Sequence, residues 1–199
     1  MTACTFTGEK QRNEQLHQAI KKLEENEFDL LYMKKSYEEY EKVVSELVAD
    51  SYIEKLKDQI VFGYDEQSYT RSDMKLMTQP EWHEHQKRMM EIMEGLGMDK
   101  LETSIRISLP YETDDKNKLY LYTSSLFRLK GEEFTYMTKR YEMQLSENRW
   151  LVTDVETDKV TFGDVSEEQR EQDKAKLDFQ LHGEQPVQYH EEVIVIKVS

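Results

Sequence analysis

The sequence predicts an α+β fold, with N-terminal helices packed on a curved antiparallel sheet of about four or more strands. Apolar residues recur at steps of three and four between residues 14 and 60, which is the spacing of one helix face. Between residues 103 and 155 the period becomes two, which is typical of half-buried strands. A chain of 199 residues is long enough to bury one sizeable core.

The N-terminal segment 14–48 predicts one amphipathic helix or a pair of helices. Its apolar stripe consists of Leu16, Ile20, Leu23, Tyr37, Tyr40, Val44 and Leu47. Ser51 and Glu54 have capping-box spacing, which indicates a new helix at Ser51. The stripe over residues 14–60 could pair with a second copy of the chain. However, its tyrosine and methionine content favours packing on the protein's own sheet.

The middle of the chain predicts a loop followed by another helix. Residues 61–77 have few periodic apolar positions and read as irregular. Thr78 and Glu81 form a second capping-box pattern, and the helix that follows ends at the glycines 95 and 97.

Four strands are then expected in one sheet, at 103–109, 118–129, 133–145 and 149–155. In the third strand Phe134 occupies an even-numbered position and Tyr141 an odd-numbered one, so in a regular strand they would lie on opposite faces. This predicts a bulge or bend near Met137–Arg140. Residues 14–163 therefore form the predicted helix-and-sheet domain. Residues 164–199 are a charged helix or linker with a short C-terminal strand.

The last predicted hairpin carries a resemblance to a known family. Phe134-Thr135-Tyr136-Met137, Tyr141-Glu142-Met143-Gln144-Leu145 and Ser146-Glu147-Asn148-Arg149-Trp150-Leu151-Val152-Thr153-Asp154-Val155 stand in order along it. The segment resembles the closing hairpin of nuclear transport factor 2-like domains, and the likeness extends over about residues 30–160. The resemblance implies a cystatin-like or nuclear transport factor 2-like cone, a curved sheet wrapped over helices around a cavity. Some members are isomerases or dehydratases, and many envelope members are binding or assembly modules.

The N-terminus predicts a lipid anchor. Met1-Thr2-Ala3-Cys4 matches the end of a bacterial lipobox, with Met1 where leucine is usual, so Cys4 is the expected lipidation site. Residues 1–13 would then be a lipobox remnant and tether, and an apolar signal segment would precede Met1. This interpretation places the protein outside a Gram-positive cell, lipid-anchored to its membrane. A cytoplasmic location is the alternative.

Charge and cysteine content exclude several classes of function. The net charge is −14 and no stretch is dense in Lys and Arg, which argues against nucleic-acid binding and against electrostatic docking on anionic lipid. Contact with a membrane is therefore expected through the lipid anchor alone. One cysteine forms neither an intrachain disulfide nor a sulfur-rich zinc site. His83 and His85 point apart on a helix, so no metal is expected, and no motif indicates a cofactor.

The sequence offers no supported catalytic set. Asp154 follows Trp150 on one strand face and could act as a base inside a cone, but no second group at fixed spacing supports it. The candidates for a cleft or partner surface are Tyr120, Tyr122, Tyr136, Tyr141, Trp150 and Asp154. The four tyrosines could instead pack across strands. We therefore expect a non-catalytic lipoprotein that binds a protein partner in the cell envelope. The alternatives are a cytoplasmic isomerase-like or dehydratase-like enzyme of the same fold, and a scaffold that forms homo-oligomers through its N-terminal helices.

Overall fold

The computed structural model describes the backbone of residues 3–198 and the side chains of residues 9–198. Its helices are α1 (Ala3–Leu31), α2 (Tyr37–Leu47), α3 (Asp50–Leu56), α4 (Arg71–Leu76), α5 (Gln79–Leu96) and α6 (Glu167–Ala175). Its strands are β1 (Ile60–Tyr64), β2 (Gln67–Thr70), β3 (Leu101–Ser108), β4 (Tyr111–Glu112), β5 (Lys118–Leu129), β6 (Glu132–Ser146), β7 (Arg149–Thr161), β8 (Leu181–His182), β9 (Gln185–Pro186) and β10 (Tyr189–Lys197). No helix among the described residues is long and apolar enough to cross a membrane.

One six-stranded antiparallel sheet organises the chain, in the order β10-β3-β5-β6-β7 with β4 beside β5. The four strands expected from the period of two are all present in it. The predicted C-terminal strand is also present, as β10. The α+β class is therefore confirmed. The sheet curves at its bulges and does not close on itself.

The position of the predicted bend was wrong. The β5–β6 register slips at Phe134, and the β6–β7 register slips at Thr153, while Met137–Arg140 is regularly paired. From Met137 to Met143 the odd-numbered residues of β6 therefore keep to one face. We call this the helix face, because α1, α2 and α3 pack on it. The opposite face, which we call the outer face, is partly covered by residues 163–188.

The hydrophobic core lies between the helices and the helix face. Its fully buried members include Leu16, Ile20, Leu30, Tyr40, Val44, Ile105, Ile107, Leu119, Leu121, Tyr141, Met143 and Val152. Each large aliphatic side chain removed from water contributes about 1.5–3 kcal/mol, so this layer holds α1 and α2 on the sheet.

The N-terminal helices differ from the expected ones at their ends. Helix α1 begins at Ala3, so residues expected to form a tether are helical. Ser36 caps α2 with a capping box in which its backbone N–H donates to Glu39 at 2.9 Å. Helix α3 begins at Asp50, so the expected start at Ser51 was wrong by one residue, and its N-cap, Ala49, provides no side-chain hydrogen bond.

The expected loop at 61–77 was also wrong. It contains the β1–β2 hairpin and α4. The hairpin turns through Asp65 and Glu66 at φ of 49° and 65°, the left-handed geometry of a tight two-residue turn. The predicted cap at Thr78 is confirmed, because its N–H donates to Glu81 at 2.7 Å. Helix α5 ends at Leu96, and Gly97 is its C-cap with a φ of 71°, as expected for a glycine past the end of a helix.

Candidate functional site

The apolar face of α1 carries two glutamates against the sheet. Glu24 follows Ile20 by four residues and Glu27 follows Glu24 by three, so all three project from the same side of the helix. The packing that buries Ile20 therefore carries both carboxylates towards the helix face. The side chain of Glu24 is only 5% exposed. A carboxylate in this position needs partners, because burying an unpaired charge is costly.

Three donors from the sheet hold the Glu24 carboxylate. Tyr141 Oη donates to Oε1 at 2.7 Å, Thr123 Oγ1 donates to Oε1 at 2.9 Å, and Lys139 Nζ donates to Oε2 at 2.7 Å. Strand register brings these donors together. Lys139 and Tyr141 lie two residues apart on β6 and share its helix face, and Thr123 of β5 stands opposite Lys139. Burial, followed by the nearby Glu24, raises the pKa of Tyr141 well above its usual value, so the phenol remains a donor.

A second ion pair lies beside the first, between α1 and α4. Arg71 Nη2 donates to Glu27 Oε2 at 2.6 Å, and Arg71 Nη1 donates to Gln59 Oε1 at 3.2 Å. Tyr40 Oη donates to Glu27 Oε1 at 2.6 Å and accepts from Arg71 Nε at 3.2 Å. Burial, and then the charge of Glu27, raises the pKa of Tyr40. Each of the two carboxylates is thus paired with a cation and accepts a hydrogen bond from a tyrosine.

These groups line two adjacent spaces between α1 and the sheet, of about 230 and 150 Å³. We call them together the inner cavity. Both spaces are lined by Glu27, Gln59, Arg71, Lys139 and Thr157. Apolar side chains line the larger space towards solvent, where Leu31 and Ile60 are exposed. The inner cavity therefore has a polar floor and an apolar rim.

Two hydroxyls on the wall of the larger space have no partner. Thr103 Oγ1 and Ser125 Oγ are buried and make no hydrogen bond to another group of the described residues. They lie on neighbouring strands, since Ser125 stands opposite Ile105, two residues from Thr103. A buried hydroxyl without a partner destabilises the fold by about 1–3 kcal/mol. A ligand that supplied one hydrogen-bonding group at this wall would remove that cost.

Of the predicted site residues whose side chains are described, one lies in the inner cavity. Tyr141 lines the smaller space. Tyr120, Tyr122 and Tyr136 lie on the outer face. There Tyr122 Oη bonds to Nδ1 of His182 at 2.8 Å.

The outer-face tyrosines pack against the C-terminal segment. The guanidinium of Arg140 lies 5.0 Å from the ring centroid of Tyr120. Gln180 Nε2 donates to Tyr136 Oη at 3.4 Å, and the Tyr111 ring packs edge-on to Tyr122 at 5.4 Å. The four predicted tyrosines are therefore divided between two faces and do not form one surface.

The other two predicted residues lie on β7, outside the cavity. Trp150 is half-buried and packs against the core. Asp154 is 42% exposed and pairs with Lys55 of α3 at 3.3 Å. Asp154 lines neither space, so the structure does not place it where a base inside a cone would be. The side chain of Cys4, the predicted lipidation site, lies outside the described residues.

The sequence reasoning missed the charged residues of the inner cavity, although a signal for them exists. Glu24 and Glu27 continue the stripe of Leu16 and Ile20 with charges of one sign. Lys139 places a charge of the opposite sign among the odd-numbered, apolar positions of β6 that include Tyr141 and Met143. Opposite charges on two faces that must pack together predict a buried ion pair.

Comparisons with known proteins do not assign the chain to a family. Among residues 9–198, whose side chains are described, no group of three or more His, Cys, Asp or Glu side chains is placed to hold a metal ion. No family model matches the chain, and neither a curated protein nor a solved structure matches it.

Proposed function

We propose that the chain is a non-catalytic binding module of the nuclear transport factor 2-like kind, and that its ligand enters the inner cavity. The hydroxyls of Thr103 and Ser125 carry the proposal, because they can form hydrogen bonds and no other group in the described part of the chain bonds to them. Helices on one face of a curved, open sheet, with a cavity between them, support the cone architecture.

The chemistry of the cavity selects the ligand. The charges of Glu24, Glu27, Arg71 and Lys139 are paired among themselves, so a charged ligand would have to break a buried pair. A ligand with an apolar body and one neutral hydrogen-bonding group fits the rim and the hydroxyl wall. A protein partner in the cell envelope would present such a group on a side chain.

The proposal includes location. Cys4 carries the lipid, and the domain acts at the outer surface of a Gram-positive membrane. Support for this part comes from the Met1-Thr2-Ala3-Cys4 pattern and from the net charge of −14, which leaves a covalent anchor as the route to a membrane.

An isomerase-like or dehydratase-like enzyme would need a free acid or base in the cavity. Three of the about four acceptor positions of the Glu24 carboxylate are already used by Thr123, Lys139 and Tyr141. Asp154 lies outside the cavity. Binding is therefore the activity that these contacts favour.

The test uses N-phenyl-1-naphthylamine, a fluorescent probe with an apolar body and one neutral N–H group. We expect saturable binding to the wild type and its loss in Ser125→Leu, whose larger side chain fills the hydroxyl wall. Ser146→Leu, the same substitution at the exposed end of β6, should bind as the wild type does. A wild type that does not bind, or equal binding by Ser125→Leu, would overturn the proposal.

A further inference from the structure

A bulge interrupts strand β10 near its start. The register of β10 on β3 breaks between Tyr189 and Val193, and a single residue of β3, Ile107, stands opposite this interval. Residues 190–192 of β10 therefore stand against one residue of β3, and the ladder is locally disrupted. We call residues 190–192 the β10 bulge. Because a bulge re-aims side chains, this segment can direct residues towards a neighbouring helix.

The β10 bulge contacts helix α1 through two histidines. The rings of His17 and His190 meet edge-on, with their centroids 4.4 Å apart and their planes inclined at 68°. His17 is only 2% exposed. Both of its ring nitrogens, and Nε2 of His190, are buried and form no hydrogen bond with the described residues. The two imidazoles are thus packed together where a positive charge would have little solvation.

The titratable groups that face His17 come from α1 and from β10. Glu192 Oε2 lies 3.4 Å from Nε2 of His17, and Glu14 lies on the same helix as His17. Glu192 does not serve His17 alone, because Lys21 Nζ donates to its Oε1 at 2.8 Å. Burial, and next the charge of His190, lowers the pKa of His17 below 6.5, although Glu192 and Glu14 act in the opposite direction. His17 is therefore neutral in the fold near neutral pH.

Protonation makes this contact unfavourable. Two imidazolium rings at this separation repel each other, and Glu192, which is already paired, compensates at most one of them. The β10 bulge is the side of the contact that can move, because its pairing with β3 is interrupted and its Lys21–Glu192 pair is partly exposed and weak. His17 is held in place, since Leu16 and Ile20 beside it on α1 are 2% and 0% exposed.

From this cluster we propose that the contact between the β10 bulge and α1 is a pH-sensitive switch. Near neutral pH the uncharged His17 and His190 hold the bulge on α1. When both rings take up a proton in mild acid, the bulge separates from α1, while residues 193–197 remain paired with β3. Neither histidine lines the inner cavity, so this inference is independent of the proposed ligand binding.

NMR spectroscopy of the whole chain tests the switch. Nuclear Overhauser effects between the ring protons of His17 and His190 measure the contact, and backbone order parameters measure the mobility of the bulge. Between about pH 7.5 and about pH 5 we expect these effects to disappear and the order parameters of residues 190–192 to fall below about 0.6, while those of residues 193–197 stay near about 0.85. The released bulge should change from the minor to the major population, a shift of about tenfold or more.

Glutamine substitutions test whether the histidine charges cause the release. His190→Gln removes one of the two charges and keeps a polar side chain, so the bulge should stay ordered at about pH 5. His17→Gln removes the other charge and should have the same effect. His83→Gln is the matched control, because His83 is an exposed histidine of α5, and its bulge should be released as in the wild type.

Release in the wild type and in the control, but in neither of the other two variants, supports the proposal. Nuclear Overhauser effects that persist in the wild type at about pH 5 overturn it, and so does acid release of the bulge in either His190→Gln or His17→Gln. A wild type that loses the dispersion of all its amide resonances at that pH also overturns it, because the transition is then global unfolding and not the release of one segment.

Discussion

Replacing Glu24 by leucine tests the ion pair on which the inner cavity depends. The change removes the acceptor of Tyr141 and Thr123 and the counter-charge of Lys139. Lys139 is 13% exposed, so its ammonium is left largely buried without a counter-charge.

The size of the effect follows from those losses. Breaking one partner of a buried ion pair costs about 3–5 kcal/mol. Stranding the two hydroxyls adds about 1 kcal/mol each, which burial of the leucine side chain, worth about 1.5–3 kcal/mol, offsets. We therefore expect Glu24→Leu to lower the free energy of unfolding by about 3–5 kcal/mol. That is a large part of the about 5–15 kcal/mol typical of a domain.

A second substitution separates the charge from the packing. Lys139→Met keeps much of the lysine side-chain volume and removes its charge. In the double variant Glu24→Leu/Lys139→Met no buried charge is stranded, so we expect most of the loss to be recovered. The coupling between the two positions should be at least about 2 kcal/mol in favour of the native pair.

Urea unfolding followed by far-UV circular dichroism measures both quantities, with unchanged m-values as the check on two-state behaviour. Glu46→Leu is the matched control, because Glu46 pairs with Lys22 on the surface of the same helical layer and should leave the midpoint nearly unchanged. A cost below about 1 kcal/mol for Glu24→Leu, or no recovery in the double variant, would refute the buried-pair argument.

Four further predictions address other parts of the molecule. If Cys4 carries lipid, the full-length protein should partition with membranes and Cys4→Ala should not; a soluble wild type would contradict the anchor. Asp154→Asn should leave probe binding and biological activity intact, since its carboxylate is outside the cavity; a folded but inactive variant would favour the enzyme alternative. Trp150→Ala should destabilise the fold by somewhat less than the about 3–5 kcal/mol of a fully buried aromatic, because Trp150 is half-buried; unfolding at the wild-type midpoint would contradict its packing. Burial, and then the neighbouring His190, lowers the pKa of His17 below 6.5. The unfolded chain then takes up this proton first, so stability should fall as the pH falls below 6.5, and more in the wild type than in His17→Gln. Equal pH profiles would contradict it.

The main sheet could be predicted because its strands are long and because apolar and polar residues alternate clearly along them. The β1–β2 hairpin could not, because its turn residues Asp65 and Glu66 adopt positive φ without the Asn or Gly that usually marks such a turn. Its aromatic residues Phe62, Tyr64 and Tyr69 share one face and pack together, but the two strands have only five and four residues, too few for a clear period. The pairing of β1 with β2 therefore forms a hairpin in a segment whose sequence pattern indicates a loop.

The misplaced bend in β6 has a different cause. Apolar residues of opposite parity predict a change of face when only one face of a sheet is buried. Here both faces are covered. Tyr136 contacts the C-terminal segment on the outer face, while Tyr141 contacts α1 on the helix face. Because the C-terminal segment covers the outer face of β6, apolar residues on both faces of this strand are compatible with a regular, unbent strand.

The same division of faces decides between the tyrosines and the inner cavity as a binding site. Tyr122 is buried, and its hydroxyl is engaged by His182, so it is already used in holding the C-terminal segment. Thr103 and Ser125 are equally buried, but among the described residues no group forms a hydrogen bond with their hydroxyls. Both hydroxyls line the larger space of the inner cavity, where a ligand can form hydrogen bonds with them. Because these two hydroxyls lie on the wall of the inner cavity, they favour the inner cavity over the tyrosines as the site for the proposed ligand.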